Sequence, residues 1–138
     1  MNQPFHADHA ANAVDVAAVR DRVITAYCNG AFNALDTATM REGFHPDFAI
    51  LGADQDRMDR YTIDAWITAI EQRKSAPGFD PAGALRACEL LCVDVTGDAA
   101  HVKMQVRRDD ALLYTDHLLL LRFASGWKIV SKVYHEHV

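Results

Sequence analysis

Cysteine is scarce in this chain: Cys28, Cys88 and Cys92 are the only three. Cys88 and Cys92 fall four residues apart on one predicted strand. At about 3.3 Å per residue that is roughly 13 Å, too far for a disulfide. An odd number of unbridged thiols suits a reducing compartment, so a cytoplasmic location is expected. Basic clusters are short as well. None exceeds Arg107-Arg108, and the formal net charge is -5. A nucleic-acid surface wants a basic stripe, so that class of partner is excluded. No apolar run approaches the roughly 18 residues of a membrane helix, which excludes a helical membrane span. The opening residues, MNQPFHADHAANAV, show neither a basic n-region nor an apolar h-region, so no signal peptide is read there. GxGxxG and Walker loops are missing, and no cofactor is expected. HExxH and CxxC are missing too. His135 and His137 share a strand face, with Asp116 on a neighbouring strand, but no facial-triad spacing results, and no metal site is expected.

What is present reads as one domain. The chain has 138 residues, half of them apolar and a quarter charged, which suits a soluble fold with one core. Residues 1–13 are polar and without periodicity and read as a flexible N-terminal arm; residues 14–138 read as the domain. Val16, Val19, Val23, Tyr27 and Ala31 recur at three- and four-residue spacing and predict a helix from about Asp15 to Ala31. Asp36 is an N-cap for a short second helix ending near Gly43 and Pro46. Phe48 to Ala53 reads as a strand, with Arg57 to Tyr61 returning beside it. Thr62 caps a third helix with Ile63, Trp66, Ile67 and Ile70 inward. His45, held extended by Pro46, is expected to hydrogen-bond a helix end, with a place at the pocket mouth as the alternative.

From Gly83 onward the chain reads as strand: about 84–95, 99–108, 111–123 and 127–137, separated by turn residues at Thr96-Gly97-Asp98, Asp109-Asp110 and Ser125-Gly126. Helices first and a four-strand meander last predict an α+β fold, with three helices packed on a strongly curved sheet. Such a sheet wrapped over helices leaves a cone with a pocket inside. The run Leu118-Leu119-Leu120-Leu121 puts leucine on both faces of its strand, where a half-buried strand alternates. Something must therefore cover each face. A second copy of the chain is the simplest outer cover.

This order of elements resembles the NTF2-like superfamily, also called the SnoaL-like or ketosteroid-isomerase-like fold. Within it the chain is most similar to the putative lumazine-binding group, a name not read here as an activity. The resemblance is carried by Tyr27-Cys28-Asn29-Gly30, Asp36, Phe44-His45-Pro46-Asp47, Trp66, Tyr114-Thr115-Asp116 and Gly126-Trp127-Lys128-Ile129-Val130-Ser131-Lys132-Val133. It covers nearly everything after the arm and is specific for fold rather than function, because one fold hosts many chemistries. Ketosteroid isomerases of this fold use a tyrosine on the first helix, a base carboxylate and a carboxylic acid on the penultimate strand. Laid on this chain without gaps, those positions fall on Tyr27, Gly52 and Leu119. Two of the three cannot move a proton, so the resemblance does not extend to steroid isomerisation.

The same superposition points Val102, Met104 and Val106 inward, with Thr115, His117, Leu119 and Leu121 from the next strand and Val130, Lys132 and Tyr134 from the last. A two-residue Ser125-Gly126 turn gives matching parity. The implied ligand-binding set is Tyr27, Trp66, Met104, His117, Leu119, Lys132 and Tyr134, with His117, Lys132 and Tyr27 as the catalytic candidates. An ammonium in a cavity needs a partner or a depressed pKa, so Lys132 either pairs with a carboxylate or meets an anionic or carbonyl ligand. Leu118, Leu120, Trp127, Ile129 and Val133 would then form an outer apolar patch and a homodimer interface. Three functions follow: a small-molecule-binding domain; a cofactor-independent isomerase, dehydratase or cyclase using the same pocket; or a dimeric association module.

Overall fold

The computed structural model describes residues 5–138 of the chain. The first helix, α1, spans Phe5–Val23 and passes directly into a π-helical segment, Ile24–Asn33. Residues 1–4 of the expected arm lie outside the described residues. From Phe5 the backbone is already helical, well ahead of the expected Asp15. Ala7, Ala10, Ala11 and Ala13 explain why a stretch without an apolar stripe is helical, since alanine has the highest helix propensity. The π-helical turn stacks residues five apart. Val23 thus lies over Cys28 and Ala26 over Ala31, and all four are buried with Tyr27.

Both expected caps are present. Asp36 accepts from the Thr39 amide (3.2 Å) at the start of α2, Thr37–Gly43. Thr62 accepts from the Ala65 amide (3.2 Å) at the start of α3, Ile63–Ser75. A 3-10 turn, Pro81–Ala84, leads into the meander. The strands are β1 Phe44–Asp54, β2 Arg57–Thr62, β3 Ala87–Thr96, β4 Ala99–Arg108, β5 Ala111–Phe123 and β6 Gly126–Glu136. They form one sheet in the order β2-β1-β6-β5-β4-β3, antiparallel except for the parallel β1–β6 pair. This is the α+β architecture expected: helices on the concave face of a curved sheet that stays open at both edges.

Three one-residue bulges shape the sheet and decide which side chains face the helices. Arg107 pairs with Leu112, but Val106 pairs with Tyr114, so Leu113 is the extra residue on β5. Leu120 pairs with Ile129, but Leu119 pairs with Ser131, so Val130 is the extra residue on β6. Leu91 is the extra residue on β3. Each bulge bends its strand and reverses the inward–outward alternation beyond it.

The Leu113 bulge overturns the expected face of β5. Asp116, Leu118 and Leu120 point inward and are at most 1 % exposed, while His117, Leu119 and Leu121 point outward. The hairpin loop is Ala124-Ser125 rather than Ser125-Gly126, because Phe123 pairs with Gly126. That shift moves the register by two residues and leaves the faces unchanged. Trp127 and Ile129 therefore follow Leu120 into the core, where they are buried. The Val130 bulge then reverses β6 again and brings Lys132 inward.

The expected outer patch changes accordingly. Leu118, Leu120, Trp127 and Ile129 are core residues, covered by the chain's own helices. The outward apolar side chains are Leu119, Leu121 and Val133.

Gly43 lets the end of α2 lie tightly against Ala26 and Arg22. A Cβ there would lie 2.2 Å from the Ala26 Cβ and 3.0 Å from the Arg22 Cδ. Gly43→Ala is expected to cost at least about 1–3 kcal/mol of stability through overpacking. Adding Ala26→Gly should recover part of that loss. Urea unfolding of both single variants and the double would measure the coupling, and strictly additive effects would refute the contact.

Candidate functional site

The concave face of the sheet and the helices enclose a cavity of about 250 Å³ lined by Tyr27, Phe32, Ile50, Tyr61, Trp66, Tyr114, Lys132 and Tyr134. Six elements contribute. Tyr27 and Phe32 come from the π-helical segment, Trp66 from α3 and Ile50 from β1. Tyr61 comes from β2, Tyr114 from β5, and Lys132 and Tyr134 from β6. Tyr61 and Tyr134 are 41 % and 46 % exposed and mark the mouth; Tyr27 is fully buried at the floor. A larger hollow of about 520 Å³ lies at the β1–β2 turn, but only Asp54, Gln55, Asp56 and Arg57 bound it, and it is a surface dent.

At the floor three polar groups form a chain. The Lys132 ammonium donates to the Tyr27 hydroxyl at 2.6 Å, and that hydroxyl donates to Asp116 Oδ2 at 2.5 Å. Lys132 and Asp116 are 3.9 Å apart, the outer limit of an ion pair, so the tyrosine oxygen is the real link between them. Asp116 is fully buried and its Oδ1 has no partner among the described residues. The Lys132 Nζ also lies 4.7 Å from the Tyr27 ring centre, 5.2 Å from that of Trp66 and 4.9 Å from that of Tyr134. Ring faces at these distances attract a cation. Trp66 meets Tyr27 and Phe44 edge to face, which fixes this wall of the cage.

Burial dominates the electrostatics. It lowers the Lys132 pKa, with Asp116 pulling the other way. It raises the Asp116 pKa, opposed first by Lys132 and then by the Tyr27 hydrogen bond. Burial and the neighbouring carboxylate hold the Tyr27 hydroxyl well above its usual range. Both charged partners are thus pushed toward their neutral forms. Next to Tyr27, the buried Cys28 thiol is pushed up, first by the neighbouring Cys88 thiol and then by burial, away from the thiolate form.

Of the residues singled out from sequence, Tyr27, Trp66, Lys132 and Tyr134 line the cavity together. Met104 is fully buried in the core opposite Asp116 rather than on the cavity wall. His117 and Leu119 lie on the outer face, away from the cavity, and the carboxylate that Lys132 was expected to pair with is Asp116, linked to it through Tyr27. The physical reason is the Leu113 bulge, which exchanges His117 for Asp116. Asp116 had one readable signal, a lone carboxylate inside an apolar strand near a lysine that needed a partner. His45 accepts from the Asp47 amide (3.0 Å) and stacks on Phe123. His137 bonds the Thr115 hydroxyl at 2.8 Å. Among the described residues no three His, Cys, Asp or Glu side chains cluster as metal ligands.

A family model described as "Putative lumazine-binding" matches residues 14–135. The chain is similar to an aldolase, FrzH, of Cladobotryum sp, with 28 % identity over 117 residues, covering 83 % of this chain and 88 % of that protein. Among solved structures it resembles an NTF2-like protein of unknown function from Silicibacter pomeroyi DSS-3. There the TM-score is 0.69 and the identity 22 %, covering 91 % of this chain and 98 % of the other. It also resembles one from Shewanella baltica OS155, with TM-score 0.64 and 24 % identity over 99 % of both chains.

The sign of the Asp116 shift gives a pH test. Its folded pKa lies above the ordinary 3.8, so the folded state holds the proton longer than the unfolded chain. That contribution to stability is complete below pH 3.8 and is lost as pH rises through the raised folded value. Asp116→Asn cannot lose it. The stability of the wild type relative to this variant should therefore fall with pH across that window. Urea titrations at several pH values would show the slope, and a flat or rising difference would contradict the assignment.

Proposed function

The chain belongs to the Putative lumazine-binding family and has the NTF2-like fold, and from that premise we propose that it binds a small, mostly apolar molecule bearing a carbonyl group. The carrying observation is the unfinished hydrogen bonding of Lys132. An ammonium has three donors, and the described residues take one of them, through Tyr27. The remaining donors belong to the one cation on an otherwise aromatic and aliphatic cavity wall. A ligand oxygen completes this set, and the aromatic rings cover the ligand's flat faces. At about 250 Å³ the cavity suits a metabolite smaller than the ligands of ordinary drug-sized pockets, which start near 300 Å³. Asp116 beside Lys132 cancels the local charge, which favours a neutral carbonyl oxygen over a carboxylate.

A second reading is enzymatic: cofactor-independent chemistry on that carbonyl, such as isomerisation, dehydration or cyclisation. What favours it is a buried, connected acid–base chain at the ligand end of the cavity, together with similarity to a protein named an aldolase. The catalytic candidates are then Lys132, Tyr27 and Asp116.

We also infer a homodimer through the outer sheet face, where Leu119, Leu121 and Val133 are 51 %, 43 % and 47 % exposed. Leu119→Glu would place like charges near the two-fold axis. The wild type should run as a dimer and this variant as a monomer in size-exclusion chromatography with light scattering. A monomeric wild type at micromolar concentration would refute the interface.

Acetophenone, benzoate and ethylbenzene are suitable probes for the pocket, followed by calorimetric titration or ligand-observed NMR. Acetophenone should bind best. Lys132→Met should weaken it by about 10–100-fold, the equivalent of losing a hydrogen bond to a charged group. If benzoate binds best, the site is an anion site. If the three probes bind equally, Lys132 does not read the ligand.

A further inference from the structure

The carbonyl-binding reading leaves the Lys132–Tyr27–Asp116 chain without a reason to be connected. A lone ammonium would polarise a carbonyl oxygen as well, and a carboxylate within 3.9 Å weakens it in that task. Two short hydrogen bonds in series are, however, a path for protons. We infer that Lys132 is a nucleophilic amine that captures the carbonyl of an aldehyde or ketone as an imine, with Tyr27 and Asp116 storing and returning its proton. This inference rests on the carbonyl-binding reading and names the chemistry of the same site.

The step balances within the three residues. Lys132 passes a proton to the Tyr27 oxygen as Tyr27 passes its own to Asp116 Oδ2. This leaves a free amine, a neutral tyrosine and a neutral carboxylic acid. One unit of positive charge passes from Lys132 to Asp116, the total charge of the three residues stays zero, and the resulting neutral pair escapes the desolvation that opposes a buried ion pair. The amine lone pair adds to the carbonyl carbon, and a proton from that nitrogen goes to the carbonyl oxygen, giving a carbinolamine. Asp116 returns its stored proton through Tyr27 to the carbinolamine hydroxyl. The C–O bond breaks, water leaves, and the nitrogen lone pair forms the C=N bond of a protonated imine. In sum, a protonated lysine and a carbonyl become a protonated imine and water, with nothing oxidised or reduced.

The surroundings fit the product as well as the reactant. The iminium has the same unit charge in the same place as the ammonium, so the ring faces of Tyr27, Trp66 and Tyr134 and the ionised Asp116 hold both. Burial shifts Lys132 and Asp116 toward the neutral state that the attack requires. Lys74, Lys103 and Lys128, the other lysines of the chain, lie outside the cavity lining.

2,4-Pentanedione tests this directly, because an amine condenses with it, losing water, to an enaminone that absorbs in the near ultraviolet. At pH 7 the wild type should form one adduct, and peptide mapping should place it on Lys132. Lys132→Arg, which keeps the charge, should form none there. Tyr27→Phe should slow adduct formation at least tenfold while tryptophan fluorescence still reports diketone binding. If the diketone binds but no adduct forms, or adducts spread over Lys74, Lys103 and Lys128, the nucleophile is wrong and carbonyl binding stands. If it neither binds nor reacts, both readings fall. An unchanged rate in Tyr27→Phe would remove the relay and overturn the proposal as stated.

Discussion

The hydroxyl of Tyr27 sits where two layers of the fold meet. It belongs to the helical layer, and its two partners belong to adjacent strands, Asp116 on β5 and Lys132 on β6. Removing it from the chain would leave a carboxylate and an ammonium in a low-dielectric interior at a separation too long for a good hydrogen bond. The two charges would still face each other as an ion pair, and the cost would be that of the unmade hydrogen bonds, typically about 1–3 kcal/mol for each buried group left without one. The aromatic residues around it are arranged by the same need. Trp66, Phe44 and Phe32 pack on the Tyr27 ring, and the faces of Tyr27, Trp66 and Tyr134 turn toward the ammonium. The cavity is the space this polar chain leaves between helices and sheet.

The geometry of that chain depends on two extra residues. Without the Leu113 bulge, β5 would present His117 instead of Asp116. Without the Val130 bulge, β6 would continue the alternation from Ile129 and present Ser131 instead of Lys132. Both insertions lie in the strands that carry the site, where bulges serve to re-aim side chains. The carboxylate opposite Tyr27 also revises the comparison with the isomerase pattern. An acid does stand on the penultimate strand, at Asp116 and not at Leu119, while the base position remains Gly52. The tyrosine–acid contact here is therefore this chain's own arrangement, with a lysine joined to it.

Element order, caps and most turns were readable because each has a local chemical cause. Asp36 and Thr62 cap helices through their own side-chain oxygens, and Gly97 takes a positive φ in its turn. Face assignment on β5 was not readable. Leu118 to Leu121 offers no alternation to lock a register, and a bulged Leu113 or Val130 looks like any other strand residue. The π-helical turn is equally silent, since Val23, Tyr27 and Ala31 fit an ordinary helical stripe. Lys132 and Tyr134 were placed inward by a parity argument that missed both bulges, and whose two omissions cancelled at that end of β6. His117 and Leu119, lying between the bulges, had no second reversal to restore them.

The sheet order leaves β2 and β3 as edges, each with a row of backbone groups that another strand could pair with. Such edges are where soluble chains recruit one another into fibrils. On β2, Arg57, Asp59 and Arg60 are exposed within a strand of only six residues. On β3, the Leu91 bulge interrupts the regular spacing that a docking strand would need. The bulges therefore have a colloidal consequence beyond the pocket. The two rims are guarded differently: β2 is short and carries charges, with the apolar Met58 left exposed on it, whereas β3 is longer and is put out of step by the Leu91 bulge.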